Sequence, residues 1–529
     1  MVWEKPTSYA NVVGYHIYAN GVLVGTVSKI SWPSGITNQQ LYYDITGLTA
    51  GTAYSIVVRS YDSSGTESAD SNQISQSTTA TPVTINVTAS PYNAVGDGST
   101  LNTVAIQNAI NACAAGGKVL IPSGKFKSGA LYLKSNCTYQ IDGSLLGSSS
   151  KSDYESGNSR YPIYGTSGFG SVAYGDNYKA LLNTCGHYSD WSARTGFTAD
   201  NLCNVQNIRI TGSGSVTGVS SLASAQGTAA RSDLVSLTGV NGLYVANLLF
   251  SQSAEHMLWV ARSSNITISK INVQSAGITN GDGIDLATAY ATSLTSSGPT
   301  GLLPTNAYIF GSTWNNGDDC INLNAGSGTP GVTAGTPVDG VHIFNNNTLK
   351  GHGGVVLGSF TAAGFKNISV TENTFDGTNI GLRFKTGTGH GGGIATLGSG
   401  DFGFRALDNK VNAITDAAID MTSSYPDTTG LPAASMGSFH DITITNLTGS
   451  VGSSTYAVRT TSATGFEDTR VKMTNVNITS GVGASIFGIK GSPTDTLFTS
   501  IVTKGSFTYQ SSLLSSSNFV SCSPTPVGK

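Results

Sequence analysis

A short phrase recurs along most of the chain: a polar residue, four or five residues of alternating apolar and polar character, a turn, and a second short strand. It appears as NIRITGSGSVTG from Asn207, NITISKINVQS from Asn265 and KNISVTENTF from Lys366, among other places. The period drifts between roughly 23 and 40 residues, so loops of varying length interrupt the repeat. This pattern favours a right-handed parallel β-helix, in which each coil stacks on the one before. A β-propeller is the alternative, disfavoured because its blades need four strands each and hairpin turns are too few here.

Composition agrees with an all-β protein and excludes several partners. The chain has 529 residues, 66 of them glycine, and only 11% are charged, which suits many short strands joined by tight turns. The net charge is −3 and no long basic run occurs, so we expect no nucleic-acid partner. No apolar stretch approaches the roughly 18 residues that cross a membrane, so we expect no membrane association. We expect a monomer.

The first part of the chain has a different sequence pattern from the repeat. VVGYHIYANGVLVGTVS predicts two strands around an Asn-Gly turn, and YYDITGLTAGTAYSIVVRSYDSSGTES adds two more. Tyr54 lies six residues after Leu48, as in the tyrosine corner of a β-sandwich. This stretch resembles a fibronectin type III module. We therefore predict a module at 1–80 and a β-helix domain at 81–529, joined by a Ser/Thr/Pro linker at 76–82. A spacing or packing role is expected for the module, with carbohydrate binding as the alternative.

One amphipathic helix is predicted near the start of the second domain, at about residues 100–114. Val104, Ile106, Ile110 and Ala114 lie near one face of it. A Gly-Gly pair follows and stops the helix.

The cysteines match no zinc or redox spacing; they are Cys113, Cys137, Cys185, Cys203, Cys320 and Cys522. Cys113 with Cys137, and Cys185 with Cys203, are candidate local disulfides. The alternative that all are unpaired buried residues stays open. Cys320 is predicted to be a buried free thiol.

Four stretches break the repeat's avoidance of charge: NGDGID (280–285), NGDDC (316–320), KGHGG (350–354) and LRFKTG (382–387). About one coil separates each from the next, with 36 residues from Asp282 to Asp318, 33 from Asp319 to His352 and 31 from His352 to Arg383. Because residues one coil apart stack on one face of a β-helix, the four stretches predict a single stripe of charged side chains.

Each residue type in this stripe has a use at a glycosidic bond. Such a bond is cleaved by one protonated carboxyl as general acid and another carboxylate as base or nucleophile. Asp318 and Asp319 are adjacent, so a bend at the preceding Asn-Gly is needed to bring both into one cleft. Like charges this close raise one pKa and keep an acid protonated at mildly acidic pH. Arg383 and Lys385 share a strand face and suit an anionic sugar carboxylate. His352 lies between two glycines, where its ring is easily approached.

Other polar residues receive weaker interpretations. Asp285 alone is expected to be a turn cap or an orienting group. His187, His256 and His390 are given no role beyond a place at the cleft rim.

At these motifs the chain resembles the pectin-degrading polygalacturonase family of glycoside hydrolases. That family carries Asn-x-Asp-Gly-x-Asp, Gly/Gln-Asp-Asp, Gly-His-Gly and Arg-x-Lys in that order, and all four are present here. The opening GDGSTLNTVAIQNAINACAAGGKVLIPSGKF also looks like the start of the family, and the resemblance covers about residues 87–510. It implies a right-handed parallel β-helix that hydrolyses α-1,4 bonds between galacturonic acid units, with inversion and without a metal or other cofactor.

The resemblance also implies roles for individual residues. The general acid is Asp318, its protonation is supported by His352, water is activated by Asp282 and Asp319, and the substrate carboxylate is held by Arg383 and Lys385. Tyr425 in SSYP matches loosely a tyrosine that contacts substrate. Inversion further predicts carboxyl groups roughly 6.5–9.5 Å apart, and a separation near 5 Å would count against it.

Two long loops bear on the mode of attack. They span 287–306, between the first two motifs, and 154–179, early in the helix. Loops of this length can wall off one end of a cleft, and GHGGVVLGS, LRFKTGTGHGGG and the N-terminal module also resemble bacterial exo-acting members. We therefore expect exo attack from the non-reducing end, releasing galacturonate or digalacturonate. The alternatives are an endo-polygalacturonase or a rhamnogalacturonan hydrolase, and, outside the family, a calcium-dependent pectate lyase or a polysaccharide-binding adhesin.

The N-terminal MVWEKPTSYA shows no signal-peptide pattern, so we expect either a cytosolic protein or a chain from which the signal has been removed. A pectic substrate and disulfides favour secretion, to the periplasm or the medium.

Overall fold

The structure is a computed structural model. It describes residues 1–154, 179–184, 204–222, 232–275, 277–288, 290–295, 298–326, 328, 331–332, 335–387, 390–425 and 437–529.

Short strands dominate the described residues. Up to the helix these are β1 (Gly14–Ala19), β2 (Val22–Val27), β3 (Lys29–Ser31), β4 (Thr37–Gln39), β5 (Ala53–Tyr61), β6 (Ile74–Ser77), β7 (Thr84–Asn86) and β8 (Asp97–Leu101), followed by the helix α1 (Thr103–Ala112). Then come β9 (Gly117–Ile121), β10 (Lys125–Ser128), β11 (Leu131–Tyr132), β12 (Cys137–Ile141), β13 (Ser144–Gly147), β14 (Leu182–Asn183), β15 (Val205–Thr211), β16 (Ser215–Thr217), β17 (Val235–Thr238), β18 (Val240–Ala246), β19 (Leu249–Ser251), β20 (Leu258–Ala261), β21 (Ser264–Ser269), β22 (Asn272–Gln274) and β23 (Ile284–Ala287).

The remaining strands run from the middle of the chain to its end. They are β24 (Tyr290–Thr295), β25 (Gly298–Leu303), β26 (Ala307–Phe310), β27 (Thr313–Asn315), β28 (Ile321–Asn324), β29 (Val338–Phe344), β30 (Asn347–Lys350), β31 (Gly353–Leu357), β32 (Phe365–Thr371), β33 (Thr374–Asp376), β34 (Ile380–Lys385), β35 (Phe404–Leu407), β36 (Lys410–Ile414), β37 (Ala417–Thr422), β38 (His440–Val451), β39 (Tyr456–Thr461), β40 (Asp468–Ile478), β41 (Gly483–Ile486), β42 (Ile489–Lys490), β43 (Leu497–Thr499), β44 (Val502–Thr503), β45 (Ser506–Tyr509), β46 (Phe519–Val520) and β47 (Val527–Gly528). Short 3₁₀ turns lie at Lys151–Asp153, Ser220–Leu222 and Ser516–Asn518.

Two long parallel sheets follow the chain from coil to coil. One runs in the order β11, β14, β17, β20, β23, β28, β31, β34, β37, β39, β41, β45 and β47, and the other takes most of the remaining strands after β6. Each strand pairs with the strand one coil further along, which is the arrangement of a parallel β-helix and not the antiparallel blade of a propeller. The fold expectation is confirmed to this extent: the chain is all-β with mostly parallel sheets.

Stacked asparagines mark the turns where the repeated phrase begins. Asn207, Asn265 and Asn306 have φ angles of 52°, 54° and 44°, a region that asparagine tolerates better than most residues. Asn306 Nδ2 donates to Asn265 Oδ1 at 2.7 Å, and Asn265 Nδ2 donates to Asn241 Oδ1 at 2.7 Å. We call this stack the asparagine ladder. It explains why the phrase so often opens on asparagine.

The helix is shorter than predicted and buries a different stripe. It spans Thr103–Ala112, and its buried residues are Ile106, Ala109 and Ile110. Val104 is 73% exposed, so its predicted place on the packed face is wrong. Ala114 is exposed and lies beyond the helix end. Only a narrow i, i+3, i+4 stripe contacts the end of the coil stack.

The cysteine predictions are partly testable. Cys113 and Cys137 form a disulfide that joins the end of α1 to β12. Cys320 is a buried free thiol, as predicted, and Cys522 is also unpaired. Cys185 and Cys203 lie outside the described residues.

The N-terminal strands form a separate antiparallel sheet in the order β2, β1, β5, β6, and β3 pairs with β4. The Asn-Gly turn joins β1 to β2 as predicted, and the Tyr54 hydroxyl accepts a hydrogen bond from the Thr49 backbone N–H at 3.0 Å. Strand β6 continues through Ser77, so the linker begins later than residue 76.

This N-terminal unit packs closely on the coils. Its core residues Tyr15 and Ile17 share one buried cluster with Phe310 and Phe344 of the long sheet. The Asn345 side chain accepts a hydrogen bond from the Leu41 N–H at 2.8 Å. Contacts of this kind fit the packing role better than that of a loose spacer.

Candidate active site

The four charged stretches meet at consecutive strands of the first long sheet. In its register Asp285 of β23 pairs with Asn322 of β28, and Val356 of β31 pairs with Arg383 of β34. The bends that precede these strands are also stacked by backbone hydrogen bonds. Gly283 N donates to Asp319 O at 2.9 Å, and His352 N donates to Asp318 O at 3.0 Å. The predicted single stripe is therefore present.

Glycines allow the bends to approach each other closely. A Cβ on Gly317 would lie 2.3 Å from the Ile278 carbonyl oxygen, and one on Gly351 would lie 2.5 Å from the Asp318 carbonyl oxygen. Gly351 also has a φ of 151°. The Asn-Gly signal before the aspartates thus marks the expected bend, which brings Asp318 and Asp319 into one pocket.

Asp318 and His352 form an ion pair at the mouth of the pocket. His352 Nδ1 lies 2.8 Å from Asp318 Oδ1, and the His352 side chain is 52% exposed. The hydrogen bond to Asp318 raises the pKa of His352. Burial alone would raise the pKa of Asp318, but the hydrogen bond and charge of His352 outweigh it and hold that pKa below its ordinary value.

The carboxyl with the raised pKa is Asp282. Burial, together with the charges of Asp285, Asp318 and Asp319, holds its pKa well above the ordinary value. One carboxyl pKa is raised, as expected, but burial contributes more than the crowding of like charges, and the raised pKa is that of Asp282 and not that of Asp318, the residue expected to be the acid. The reason is that His352 compensates Asp318, whereas Asp282 faces mainly other carboxylates.

Asp319 lies at the bottom of the pocket between two cations. It is 1% exposed, its Oδ2 accepts a hydrogen bond from Lys385 Nζ at 2.8 Å, and its Oδ1 lies 3.6 Å from Arg383 Nη1. Burial alone would lower the pKa of the Lys385 ammonium, but the charge of Asp319 outweighs it and raises that pKa. Both predicted cations, Arg383 and Lys385, therefore line the pocket. The Lys385 ammonium also forms an ion pair with Asp319, one of the candidate catalytic residues.

The carboxyl spacing differs from the prediction. One oxygen each of Asp282, Asp318 and Asp319 lie within 4.8 Å of one another, below the expected 6.5–9.5 Å. Stacked coils bring side chains closer than opposite walls of an open cleft would. A separation this short counts against inversion.

These groups line a pocket of about 460 Å³, within the usual range for a small-molecule site. The lining also includes Tyr425, whose ring centre lies 5.6 Å from Arg383 Cζ and 5.3 Å from Lys385 Nζ. Tyr425 therefore lies beside the two cations, and its contact with substrate stays a prediction.

A match to Glycosyl hydrolases family 28 spans residues 113–497 and includes every charged stretch of the site. The chain belongs to glycosyl hydrolases family 28.

Family 28 relatives resemble the chain along most of its length. The exo-poly-alpha-D-galacturonosidase of Dickeya chrysanthemi is 30% identical over 510 residues, covering 85% of this chain and 78% of the relative. The structure of the Yersinia enterocolitica family 28 exopolygalacturonase matches with a TM-score of 0.65 and 24% identity, covering 98% of this chain and 95% of that one. The Thermotoga maritima exopolygalacturonase matches with a TM-score of 0.54 and 17% identity, covering 76% and 88%.

Several pocket residues of this family 28 site were missed by the sequence analysis; they are Glu255, His256, Trp259, Asn322 and Asn324. His256 was placed only at the rim, but it is buried and its Nε2 lies 3.2 Å from Asp285 Oδ2. A signal existed, because SAEHM puts adjacent charges in a charge-poor repeat about one coil before Asp282. His390 is buried against Phe360, and His187 lies outside the described residues.

Asp285 is an orienting group, as its interpretation allowed. Its Oδ1 accepts hydrogen bonds from Asn322 Nδ2 at 2.9 Å and from Asn324 Nδ2 at 2.5 Å. These amides come from the next coil and align the first two charged stretches.

Three clusters among the described residues have a spacing that a metal ion accepts: Asp233, Glu255 and His256; His256, Asp282 and Asp285; and Asp282, Asp318 and Asp319. In the third cluster Lys385 and His352 already face the carboxylates, so cationic side chains stand where an ion would act. We retain the prediction of hydrolysis without a metal.

The loop at 287–306 contains an antiparallel hairpin, β24 with β25. The early loop at 154–179 lies almost wholly outside the described residues. Among the described residues, no helix is long and apolar enough to cross a membrane.

Proposed function

We propose that this family 28 chain is an exo-acting hydrolase of α-1,4-galacturonosyl bonds in polygalacturonate. One observation carries the proposal: a single pocket gathers three carboxylates, two cations suited to a uronate and a histidine bonded to the outermost aspartate. The similarity to an exo-poly-alpha-D-galacturonosidase along 85% of the chain supports the substrate and the mode of attack.

Asp318 is proposed as the general acid, acting as a unit with His352. The two side chains hold one proton in a short contact, and in the open pocket the charged form, imidazolium with carboxylate, is favoured. A sugar that covers the half-exposed ring removes water, and loss of water favours the neutral form of an ion pair. The proton then lies on Asp318, which transfers it to the glycosidic oxygen as that bond breaks.

Asp282 and Asp319 are proposed to activate the attacking water. A water that donates two hydrogen bonds of about 2.8 Å, at an angle near 105°, places its acceptors about 4.4 Å apart. One oxygen of Asp282 lies within 4.8 Å of one of Asp319, close enough for a single water to bridge them. The water oxygen bonds to the anomeric carbon on the face opposite the leaving oxygen, which yields inversion. Its proton moves to Asp319, whose charge Lys385 compensates, while Asp282, whose pKa is raised, helps to orient the water.

Inversion is tested by proton NMR during early turnover. An α-linked substrate then releases the β-anomer first, and the α-anomer appears later by mutarotation. Immediate release of the α-anomer would instead indicate a covalent intermediate, for which closely spaced carboxyls are typical.

Arg383, Lys385 and Tyr425 are proposed to bind the substrate. Arg383 offers a planar fork suited to a carboxylate, and its partial exposure leaves that fork accessible. Lys385 adds a second positive charge from the pocket floor, while the Tyr425 ring covers both cations.

The deciding experiment is a time course on polygalacturonate with EDTA, following products by anion-exchange chromatography and by the absorbance of unsaturated uronates. Early galacturonate or digalacturonate alone, without new absorbance, is expected. A spread of oligomers would make the enzyme endo-acting, and unsaturated products would make it a lyase. Full inhibition by EDTA would overturn the metal-free mechanism.

We further propose that residues 1–80 are a fibronectin type III module, that the β-helix of 81–529 is right-handed, and that the protein is a secreted monomer. The antiparallel sheet and the Tyr54 corner support the module. Light scattering tests the monomer.

A further inference from the structure

A second cavity lies between the N-terminal unit and the coils, and we call it the junction cavity. Its volume is about 330 Å³, at the lower end of the usual range for a small-molecule site. Residues between 5 and 39 form one wall, and the coils supply Glu372, Asp408, Lys410, Asn446 and Thr448. No described residue lines both this cavity and the active-site pocket.

The junction cavity contains more positive than negative charge. Three lysines line it, Lys5, Lys29 and Lys410, against two carboxylates, Glu372 and Asp408. The whole chain has a net charge of −3, so the positive excess is local. Burial raises the pKa of Glu372, which in acid can only remove negative charge from the cavity. The charge of the cavity is therefore complementary to an anion.

Lys5 already balances both carboxylates of the cavity. It contacts Glu372 and Asp408. Glu372 Oε2 also accepts a hydrogen bond from the Gln39 N–H at 3.0 Å, and Asp408 Oδ1 accepts one from Asn446 Nδ2 at 2.7 Å. These two acids are thus engaged away from the other lysines.

Lys29 and Lys410 supply the positive excess. In the described part of the chain, neither forms an ion pair with a carboxylate; Lys410 Nζ donates to the Thr37 carbonyl oxygen, and Lys29 is exposed. Burial lowers the pKa of Lys410, and the charges of Lys29 and Lys5 add to that shift, although Glu372 opposes it. A carboxylate bound beside Lys29 and Lys410 would relieve this repulsion.

Uncharged polar groups of the cavity suit the hydroxyls of a sugar. The Thr37 and Thr448 side chains line it, and their hydroxyls form no hydrogen bond with another described residue. A small inorganic anion would meet the lysines but leave most of a cavity of this volume unfilled. A carboxylate that carries hydroxyls on a ring, as a uronate does, matches both features.

We propose that the junction cavity is a second, non-catalytic binding site for a galacturonate residue of a pectic chain, with Lys29 and Lys410 as the partners of its carboxylate. The choice of sugar rests on the proposed function, whereas the preference for an anion does not. Binding there holds a polymer at the enzyme and so raises the local concentration of chain ends at the active site.

The first test compares long and short substrates in Lys29→Met. On polygalacturonate KM should rise a few fold with kcat unchanged, because a retained polymer is lost. On trigalacturonate, which is too short to gain from retention, neither constant should change. Lys472→Met is the matched control, because Lys472 is also an exposed strand lysine but lines neither cavity. An unchanged KM for the polymer in Lys29→Met would overturn the retaining role.

The second test needs no turnover. Trigalacturonate is titrated by calorimetry into the full chain carrying Asp318→Asn, and two sites are expected. Adding Lys29→Met should weaken one of them about tenfold, as loss of a contact between charged groups does, and leave the other unchanged. If no site responds to Lys29→Met, the proposal is overturned. A single site that does respond supports the proposal and counts instead against the active-site pocket as a uronate site.

Galactose and inorganic phosphate, titrated at the same ionic strength, separate the sugar from the charge. Neither should occupy the site that depends on Lys29, because galactose has no carboxylate and phosphate has no sugar ring. Phosphate that binds as tightly as trigalacturonate would make the cavity a site for small anions, and galactose that does so would remove the role of the lysines. Either result would overturn the assignment to a uronate.

Discussion

At the residue scale, the two adjacent aspartates of the site have different ion-pair partners. Asp318 contacts the half-exposed His352, whereas Asp319 contacts the buried Lys385. The four charged stretches and their convergence were predictable, because one-coil spacing stacks residues whatever the details of packing. Which carboxyl would hold a proton was not predictable, because burial and neighbours from other coils decide it.

Asp318→Asn tests the role of the acid. The amide cannot donate a proton to the leaving oxygen, so kcat should fall about 10³-fold, with KM changed by only a few fold. Asp376→Asn is the control, because Asp376 is also partly buried and accepts an amide hydrogen bond, from Asn412, but lies outside the pocket. Steady-state kinetics on trigalacturonate measure both. Near-wild-type kcat in Asp318→Asn would remove it from the mechanism.

His352→Gln tests the ion pair through stability. The pKa of His352 is raised above 6.5 by folding, so its contribution is complete below pH 6.5 and is lost as pH rises through the folded value. The pKa of Asp318 is lowered below 3.8, so its contribution is complete above that pH and is lost in stronger acid. The difference in Tm between wild type and His352→Gln should therefore be largest between about pH 4 and 6.5 and shrink above that range. A difference independent of pH would contradict the pairing.

At the scale of the element, the bends before the strands control the site more than the strands do. Replacing Gly351 with alanine puts a Cβ against the Asp318 carbonyl oxygen at a φ of 151°, which costs about 1–3 kcal/mol and displaces the acid. Both Tm and kcat should fall. Gly400→Ala is the control, because Gly400 also has a positive φ, of 89°, but nothing lies within 4 Å of its added Cβ. Thermal unfolding and kinetics measure both variants. Unchanged kcat in Gly351→Ala would show that the acid does not depend on this bend.

Element boundaries were only partly predictable. The alternation of apolar and polar residues predicted the strands, because the two-residue period of a strand is visible within a few residues. The asparagines predicted the turns. The buried face of α1 was predicted wrongly. Val104 is apolar, but it is 73% exposed at the end of the coil stack. Only the stack itself decides which side of the helix is covered.

At the scale of the whole molecule, a buried charge cluster joins the N-terminal unit to the coils. Lys5 contacts both Glu372 and Asp408, and Glu372 also accepts a hydrogen bond from the Gln39 N–H at 3.0 Å. Burial raises the pKa of Glu372, although Lys5 opposes that shift. No sequence pattern predicted these contacts, because they join residues more than 300 positions apart.

Lys5→Met tests this junction. It leaves Glu372 buried without its cation at a cost of about 3 kcal/mol, so calorimetry should show an added low-temperature transition while activity on short substrates persists. Lys270→Met is the control: its partner Asp44 is 46% exposed, and such pairs contribute about 1 kcal/mol or less. A single unfolding transition at the wild-type Tm in Lys5→Met would show that other contacts hold the unit.

The asparagine ladder also bears on how genes for such chains change length. Asn306 bonds to Asn265 and Asn265 to Asn241, each one coil earlier, so duplication or loss of one whole coil leaves two ends that can rejoin. An addition of any other size must loop out between rungs, as the β24–β25 hairpin does while Asn306 stays bonded to Asn265. Descendants of one ancestor should therefore differ in length by full coils or by excursions between rungs, and seldom by a few residues within a rung.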